Sequence, residues 1–181
     1  GISFMYECLV RFLDALDHSS YRDNTAIVLW SDHGWHLGEK LHWRKFALCE
    51  EATYNVLLFS IPGVTKAGGR CSTPVNLLDI YPTLVNVCGL TARPELQGQS
   101  LLPLLQDPNA AREQPALTTH GRNNHSLRSS RWRYIRYKDG SEELYDHDRD
   151  DLEWSNLALD PHYADVKKDL ARFLPEENVG G

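Results

Sequence analysis

A carboxylate and an imidazole follow an apolar stretch near the start of this chain of 181 residues. The apolar residues 26–30 lead directly into Ser31, Asp32, His33 and Gly34. A buried strand that ends in such residues is typical of open α/β sheets, which bind ligands beyond the carboxyl ends of their strands. Gly34 allows the chain to turn sharply because it has no Cβ atom. Asp32 offers oxygen ligands that suit a hard cation, and His33 offers a nitrogen ligand.

A lysine follows Asp32 at a distance that lets it join the same site. Lys45 lies 13 positions later (45 minus 32), in the sequence His-Trp-Arg-Lys that begins at His42. An ammonium group, a carboxylate and an imidazole at the mouth of a sheet suit an anionic substrate held against a metal ion. The alternative for Lys45 is an ordinary surface lysine, and a turn histidine and a helix cap are the alternatives for His33 and Asp32.

The elements that must position these groups follow an α/β pattern. Apolar residues at helical spacing predict an amphipathic helix over residues 5–17. Continuous apolar runs predict strands over residues 25–30 and 56–60, and a further helix is expected over residues 78–87. A helix followed by an apolar strand is the repeating unit of a parallel α/β sheet, so we expect a parallel arrangement in residues 1–110.

The periodicity changes after a proline-rich connection over residues 91–115. Alternating patterns then predict a small antiparallel sheet whose strands lie at residues 116–119, 126–130, 132–138 and 143–146. A final helix over residues 163–174 would cover one face of that sheet. We therefore expect two units, a parallel α/β portion over residues 1–110 and a small α+β subdomain over residues 111–181.

Composition limits the classes of function. A net charge of −6 argues against a general nucleic-acid-binding protein, although basic residues cluster between Arg128 and Lys138. No stretch contains the roughly 20 apolar residues that a membrane span needs. The four cysteines lack the Cys-x-x-Cys spacing of metal sites.

Four stretches, taken in order, resemble the carboxyl-terminal part of the sulfatase family, in the branch similar to iduronate-2-sulfatase. They comprise residues 23–34, residues 37–53, residues 78–90, and residues 131–146 with the closing Asn-Leu-Ala at 156–158. The resemblance implies the carboxyl-terminal part of an alkaline-phosphatase-like sulfatase fold. The small antiparallel sheet and its helix would form the carboxyl-terminal subdomain of that fold.

The resemblance also implies roles for individual residues. Asp32 and His33 would supply part of the shell of one calcium ion, or His33 would only hydrogen-bond the sulfate. Lys45 would contact the sulfate and stabilise charge on the leaving group, with His42 as a further catalytic candidate. His125 would touch the substrate from a polar loop of the second unit. Glu50 and Glu51 are candidate acid–base carboxylates, or they cap a helix.

The nucleophile of the family has no counterpart in the sequence. Sulfatases carry a Cys-x-Pro-Ser-Arg type motif whose cysteine or serine becomes formylglycine. That motif follows none of the four cysteines, which are Cys8, Cys49, Cys71 and Cys88. The sequence therefore predicts part of an active site, inactive alone, whose amino-terminal half with the formylglycine is missing.

The predicted substrates are sulfate esters, most simply those of sulfated carbohydrates. Family resemblance favours a periplasmic or extracellular location, and no signal peptide is visible in these residues. One alternative is a phosphate-ester hydrolase of the alkaline-phosphatase-like superfamily, which would use two transition-metal ions. The other alternative is a binding module without catalysis.

Overall fold

The computed structural model describes residues 1–178, which form five α-helices and eight β-strands. The first half contains α1 (Ile2–Asp17), β1 (Ile27–Trp30), β2 (His36–Leu37), β3 (Trp43–Arg44), α2 (Glu50–Thr53), β4 (Leu57–Ser60), α3 (Ile80–Val87) and α4 (Leu102–Gln106). The second half contains β5 (Ala116–Thr119), β6 (His125–Arg128), β7 (Trp132–Arg136), β8 (Glu142–Asp146) and α5 (Ala164–Ala171).

The two longer strands of the first half pair with each other in antiparallel fashion. Ile27 lies opposite Ser60 and Trp30 opposite Leu57, so the expected parallel pairing is wrong for β1 and β4. The reason lies in the connection between them, because its one α-helix, α2, has only four residues. A parallel neighbour needs a long crossover, usually a full helix, whereas an antiparallel neighbour does not.

The segment between β1 and β4 folds back on itself as a two-stranded hairpin. His36 of β2 lies opposite Arg44 of β3, and a short 3₁₀ turn at Glu39–Leu41 joins the strands. The short strands were missed because two residues are too few to show a period of two.

The predicted helix over residues 78–87 begins with a 3₁₀ turn at Leu77–Asp79 and continues as α3. The buried Asp79 carboxylate holds the start of this helix. It accepts hydrogen bonds from the backbone N–H groups of Asn76 (2.9 Å) and Gln99 (2.8 Å), and it pairs with Arg112 at 2.7 Å. Gly89 follows the helix at a φ of +61°, the left-handed conformation that ends many helices.

The second half contains the expected four-stranded antiparallel sheet in the order β5-β6-β7-β8. Alternate residues of its strands face opposite sides, as strand geometry requires. One side packs under α5 and the segments beside it, in a core of Leu127, Tyr134, Leu144, Ala158, Leu170 and Leu174. The prediction of a sheet covered on one face by a helix is therefore confirmed.

The other face of this sheet holds the first half of the chain. Leu48 packs there against Ile135 and Tyr145, and each of the three is at most 3% exposed. The Arg133 side chain, 2% exposed, donates to the Leu48 carbonyl oxygen (3.1 Å) and pairs with Glu50. Residues 48–50 are thus fixed to the sheet, and this anchors the segment that carries Lys45. The division at residues 110 and 111 stays a prediction.

Helix α1 buries none of its side chains within the described residues. Its apolar residues Ile2, Phe4, Met5 and Phe12 are each more than half exposed. None of the helices in residues 1–178 combines the length and the hydropathy that a membrane crossing requires.

Candidate functional site

The turn after β1 is held by its backbone. The Ser31 N–H donates to the Val56 carbonyl oxygen at 3.1 Å, and the Gly34 N–H donates to the Ala52 carbonyl oxygen at 2.8 Å. A Cβ atom at Gly34 would lie 2.0 Å from the Glu51 carbonyl oxygen. Only glycine therefore permits this close approach of two backbone segments, which sets the direction in which Asp32 and His33 project.

The hydrogen bonds of His33 define its tautomer. Its Nδ1 atom lies 2.7 Å from the Gly34 carbonyl oxygen, which can only accept, so Nδ1 carries the proton. In the neutral ring the Nε2 atom then presents a lone pair. That atom lies 3.0 Å from Lys45 Nζ and 3.6 Å from an Asp32 carboxylate oxygen. The structure thus brings Asp32, His33 and Lys45 together around one nitrogen atom.

A hydrogen bond to its carbonyl oxygen and a strained loop position Lys45. His42 Nε2 lies 2.9 Å from the Lys45 carbonyl oxygen and donates to it. The residues on either side, Arg44 and Phe46, have φ values of +78° and +68°. Non-glycine residues adopt this region rarely, and such strain concentrates at functional sites. His42 therefore positions the lysine through its backbone in this structure.

A divalent cation fits the pair Asp32 and His33 as part of its shell. The Asp32 side chain is 80% exposed, so its oxygens are accessible, and a hard cation favours carboxylate oxygens. A histidine that donates from Nδ1 to a backbone carbonyl has the orientation commonly seen in metal ligands, with Nε2 facing the ion. Calcium takes six to eight ligands, so two donors leave most of its shell to other groups.

A second group of potential metal ligands, Glu50, His147 and Glu153, lies against the sheet. The Arg133 guanidinium already pairs with both carboxylates, and His147 Nε2 lies 2.9 Å from a Glu153 oxygen. Burial raises the pKa of Glu153, but the hydrogen bond from His147 and the charge of Arg133 outweigh it and hold that pKa below its usual value. A guanidinium occupies the place of a cation here, so this cluster is an ion-pair network rather than a metal site.

That network includes Glu50, one of the two predicted acid–base carboxylates. Glu50 pairs with Arg133 and with Arg128 (3.2 Å), so two guanidinium groups of the sheet already engage its carboxylate. Glu51 faces the other way, with an oxygen 4.0 Å from Nδ1 of the fully buried His36. His36 in turn packs edge-on against the His42 ring, at 4.9 Å between ring centroids.

His125 is buried, and both of its ring nitrogens have partners. Nδ1 lies 2.9 Å from the Thr119 hydroxyl and Nε2 lies 2.7 Å from the Asn178 side-chain oxygen. The structure therefore does not bring His125 to the group around His33, and its contact with substrate stays a prediction. His125 lies in β6 rather than in the predicted polar loop. His120, which directly follows β5, is exposed and stacks against Phe46 at 5.6 Å between ring centroids.

Sequence reasoning missed this contact between Phe46 and His120. The two residues are 74 positions apart (120 minus 46), and no pattern in one sequence joins them. Sequence reasoning also missed the buried role of Arg133. The sequence offered one indication of it, because Arg133 shares a face of β7 with the apolar Ile135, and that face is buried. A cleft of about 450 Å³ lies elsewhere, between Gln99, Pro103, Arg112 and Phe173. None of the predicted site residues lines it.

Comparison with known proteins identifies the family of this chain. Residues 38–179 match the family described as N-sulphoglucosamine sulphohydrolase, C-terminal. A protein named sulfatase from Formosa agariphila is 42% identical over 178 residues, which cover 98% of this chain and 35% of that protein. This chain therefore spans about a third of the length of that relative.

Solved structures show the same arrangement of elements. The structure of BT4656 in complex with its substrate D-glucosamine-2-N,6-O-disulfate superimposes with a TM-score of 0.82 at 28% identity, over 93% of this chain and 37% of that one. The phosphonate monoester hydrolase of Agrobacterium radiobacter gives a TM-score of 0.79 at 25% identity, over 91% and 37% of the two chains. The fold is the carboxyl-terminal part of the alkaline-phosphatase-like architecture of sulfatases, and the chain belongs to the sulfatase family.

Proposed function

We propose that this chain forms the carboxyl-terminal part of an enzyme that hydrolyses sulfate esters of carbohydrates. The observation that supports it most is the meeting of Asp32, His33 and Lys45 around His33 Nε2, at 3.6 and 3.0 Å. A carboxylate and an imidazole that suit a cation, next to an ammonium that suits an anion, match the needs of a sulfate held against a metal ion.

The nucleophile of this enzyme would come from outside the 181 residues. Formylglycine is the group that the family resemblance implies, and the relatives are about three times as long as this chain. We use the term longer enzyme for the polypeptide in which this chain is joined to the segment that carries the nucleophile. The isolated chain is expected to be inactive and to bind calcium weakly, because it supplies two ligands of the shell.

Different residues of this chain would contact the metal ion and the sulfate. Asp32 and His33 would supply part of the coordination shell of a calcium ion. When bound, that ion would stabilise the sulfate oxygens as a Lewis acid. His33 Nε2 has a single lone pair, so it can either coordinate the ion or accept a hydrogen bond from the Lys45 ammonium group. With Nε2 committed to the ion, Lys45 is free to donate to a sulfate oxygen and to neutralise charge on the leaving oxygen. His42 keeps the Lys45 backbone in place.

Two finer assignments belong to the same proposal. A specificity like that of iduronate-2-sulfatase is supported by the Asp-His-Gly-Trp sequence at 32–35 and by the Trp-Arg-Lys sequence at 43–45. A periplasmic or extracellular location is supported by the family resemblance alone.

A second candidate function is the hydrolysis of phosphate or phosphonate monoesters. The phosphonate monoester hydrolase with a TM-score of 0.79 favours it, because the same architecture supports both reactions. The separating experiment measures kcat/KM of the longer enzyme on 4-nitrophenyl sulfate and on a 4-nitrophenyl phosphonate, together with its metal content. The proposal predicts a strong preference for the sulfate and one calcium per chain. A preference for the phosphonate with two transition metals would replace it with the second candidate.

A further inference from the structure

One side chain of the hairpin formed by β2 and β3 is fully buried. Within residues 36–46 only His36 is buried, at 0% exposure, whereas Leu41 and Trp43 are each more than half exposed. The hairpin therefore depends on this ring for most of its packing against the rest of the chain. Lys45 directly follows the last residue of the hairpin, so whatever fixes the hairpin also fixes the lysine main chain.

The polar atoms of the His36 ring are unsatisfied. Both of its nitrogens lack a hydrogen-bond partner among the described residues, and so does the buried Oε2 atom of Glu51. Buried polar atoms are nearly always hydrogen-bonded, and one that is not destabilises the fold. An apolar ring would fill the same space without that penalty. A histidine with two unpartnered nitrogens beside a candidate site therefore indicates a role beyond packing.

Glu51 is the carboxylate that faces this ring. Its Oε2 atom lies 4.0 Å from His36 Nδ1, and neither residue forms another ion pair within residues 1–178. The backbone of Glu51 is itself held in place, because the preceding residue, Glu50, pairs with Arg133 of the sheet. Polar groups attract each other more strongly in a buried place than in water. Glu51 thus connects the hairpin to a helix that the sheet already fixes.

The His36 ring reaches Lys45 through His42. The two imidazole rings pack edge-on, with 4.9 Å between their centroids and 84° between their planes. His42 Nε2 donates to the Lys45 carbonyl oxygen at 2.9 Å, and Lys45 Nζ lies 3.0 Å from His33 Nε2. His36 also lies opposite Arg44, the residue before Lys45, in the register of the hairpin. A displacement of His36 would therefore move the backbone from which the lysine projects.

We infer that His36 is a positioning residue for Lys45, held by Glu51 and acting through His42. The inference rests on the proposed function, since it takes Lys45 to be the group that acts on the sulfate. The Glu51 carboxylate keeps the imidazole in place, the imidazole supports the His42 ring, and His42 fixes the lysine main chain. In this assignment Glu51 is a positioning group rather than an acid–base carboxylate, and neither it nor His36 touches the substrate.

The test measures kcat and KM of the longer enzyme on 4-nitrophenyl sulfate. His36→Phe keeps an aromatic ring and removes the nitrogen that faces Glu51, and Glu51→Met removes the carboxylate. Each is made alone, together with the other, and in a Lys45→Ala background. His162→Phe and Glu113→Met, at exposed positions, are the matched controls. Thermal unfolding shows which variants are folded, and Glu51→Met carries the test if His36→Phe does not fold.

We expect each single variant to lower kcat by about tenfold and to change KM by less than about twofold, because a small misplacement of a catalytic group acts on the transition state. The double variant should lose no more than the more impaired single variant, since both side chains act through one contact. In the Lys45→Ala background, His36→Phe should change kcat by less than about twofold, because the group that it positions is gone. The two controls should match the wild type.

The Lys45→Ala background separates positioning from a merely structural role. A folded His36→Phe variant that loses as much kcat without Lys45 as with it overturns the inference, because the ring would then act on something else. Losses below about threefold in both single variants overturn it as well, and so do losses that add in the double variant. A wild-type enzyme that does not cleave 4-nitrophenyl sulfate refutes the proposed function itself, before any variant is compared.

Discussion

The Lys45 ammonium nitrogen lies 3.0 Å from His33 Nε2, which is the same atom that faces the Asp32 carboxylate at 3.6 Å. A nitrogen with one lone pair cannot serve an ion and an ammonium group at once. If His33 Nε2 bound the proposed calcium ion, Lys45 would therefore lose this contact. Several measurable consequences depend on that contact or on the elements that maintain it.

Replacement of Asp32 should remove activity and leave the fold intact. The Asp32 side chain is 80% exposed, so Asp32→Ala breaks no buried contact, but it removes the oxygen ligand that the proposal assigns to the ion. We expect turnover of 4-nitrophenyl sulfate by the longer enzyme to fall to background, with an unchanged circular dichroism spectrum. The matched control is Asp23→Ala, another exposed aspartate, which should keep wild-type activity. Near-normal activity of Asp32→Ala would remove this residue from the metal site.

Replacement of Lys45 should reduce the rate more than the binding of substrate. An ammonium group that acts on charge developing in the transition state contributes about 3 kcal/mol or more, so Lys45→Ala should lower kcat by about 10²-fold or more. Single-turnover and steady-state kinetics on the longer enzyme give this value. Lys66→Ala, at an exposed lysine of a separate turn, is the control. A change confined to KM would instead make Lys45 a residue of uniform substrate binding.

Gly34 should tolerate no side chain. Its ideal Cβ position is 2.0 Å from one backbone oxygen and 2.7 Å from another, the carbonyl oxygens of Glu51 and Tyr54. Backbone atoms cannot move aside as a flexible side chain can, so Gly34→Ala should lower stability by about 1–3 kcal/mol and displace His33. Thermal unfolding of the longer enzyme and its calcium affinity measure both effects. Gly69→Ala, whose Cβ would meet one oxygen at 3.2 Å, should change neither, and equal effects of the two substitutions would contradict the steric argument.

The sequence was sufficient to predict the elements that have a clear periodicity and the groups that lie close together in the chain. The four strands of the second sheet, the helix that covers it and the turn at Asp32 all follow from local patterns. The pairing of β1 with β4 does not, because strand direction depends on what lies between two strands rather than on their own residues. The stacking of Phe46 on His120 is a further case, since it depends on how two distant segments pack. His125 was chosen over His120 because one sequence does not show which side of the chain faces the interior.

The Glu153 carboxylate should make the fold sensitive to acid. Burial raises the pKa of this carboxyl, but the hydrogen bond from His147 and the charge of Arg133 outweigh burial and hold the pKa below its usual value in the folded chain. Because the folded pKa is the lower one, this contribution to stability is complete above the unfolded value and disappears as the pH falls through the folded value. We expect Glu153→Gln to be less stable at neutral pH, and to lose less stability than the wild type as the pH falls through the folded pKa of Glu153. Tryptophan fluorescence during acid unfolding measures this, with the exposed Glu176→Gln as the control. Parallel acid curves for Glu153→Gln and the wild type would contradict the prediction.

The cysteines should differ in their reactivity with alkylating reagents. Cys8, Cys71 and Cys88 are exposed thiols, whereas Cys49 is partly buried and burial raises its pKa to about 11. The thiolate is the reactive form, so Cys49 should react slowest with iodoacetamide at neutral pH and should speed up as the pH approaches 11. Mass spectrometry of the labelled chain counts the modified sites with time. Fast labelling of Cys49 would show that this segment opens readily from the sheet, against the contacts that Leu48 and Glu50 make with it.

The left-handed residues on both sides of Lys45 limit how this lysine could be transferred to another protein. Arg44 and Phe46 adopt conformations that such residues avoid in short peptides, at a cost of about 1–2 kcal/mol each. A peptide of residues 36–46 would relax to other shapes in solution, and the same segment grafted onto a foreign scaffold would do so as well. A graft that keeps the conformation of this segment must therefore also include Arg133 and the sheet surface that fixes residues 48–50.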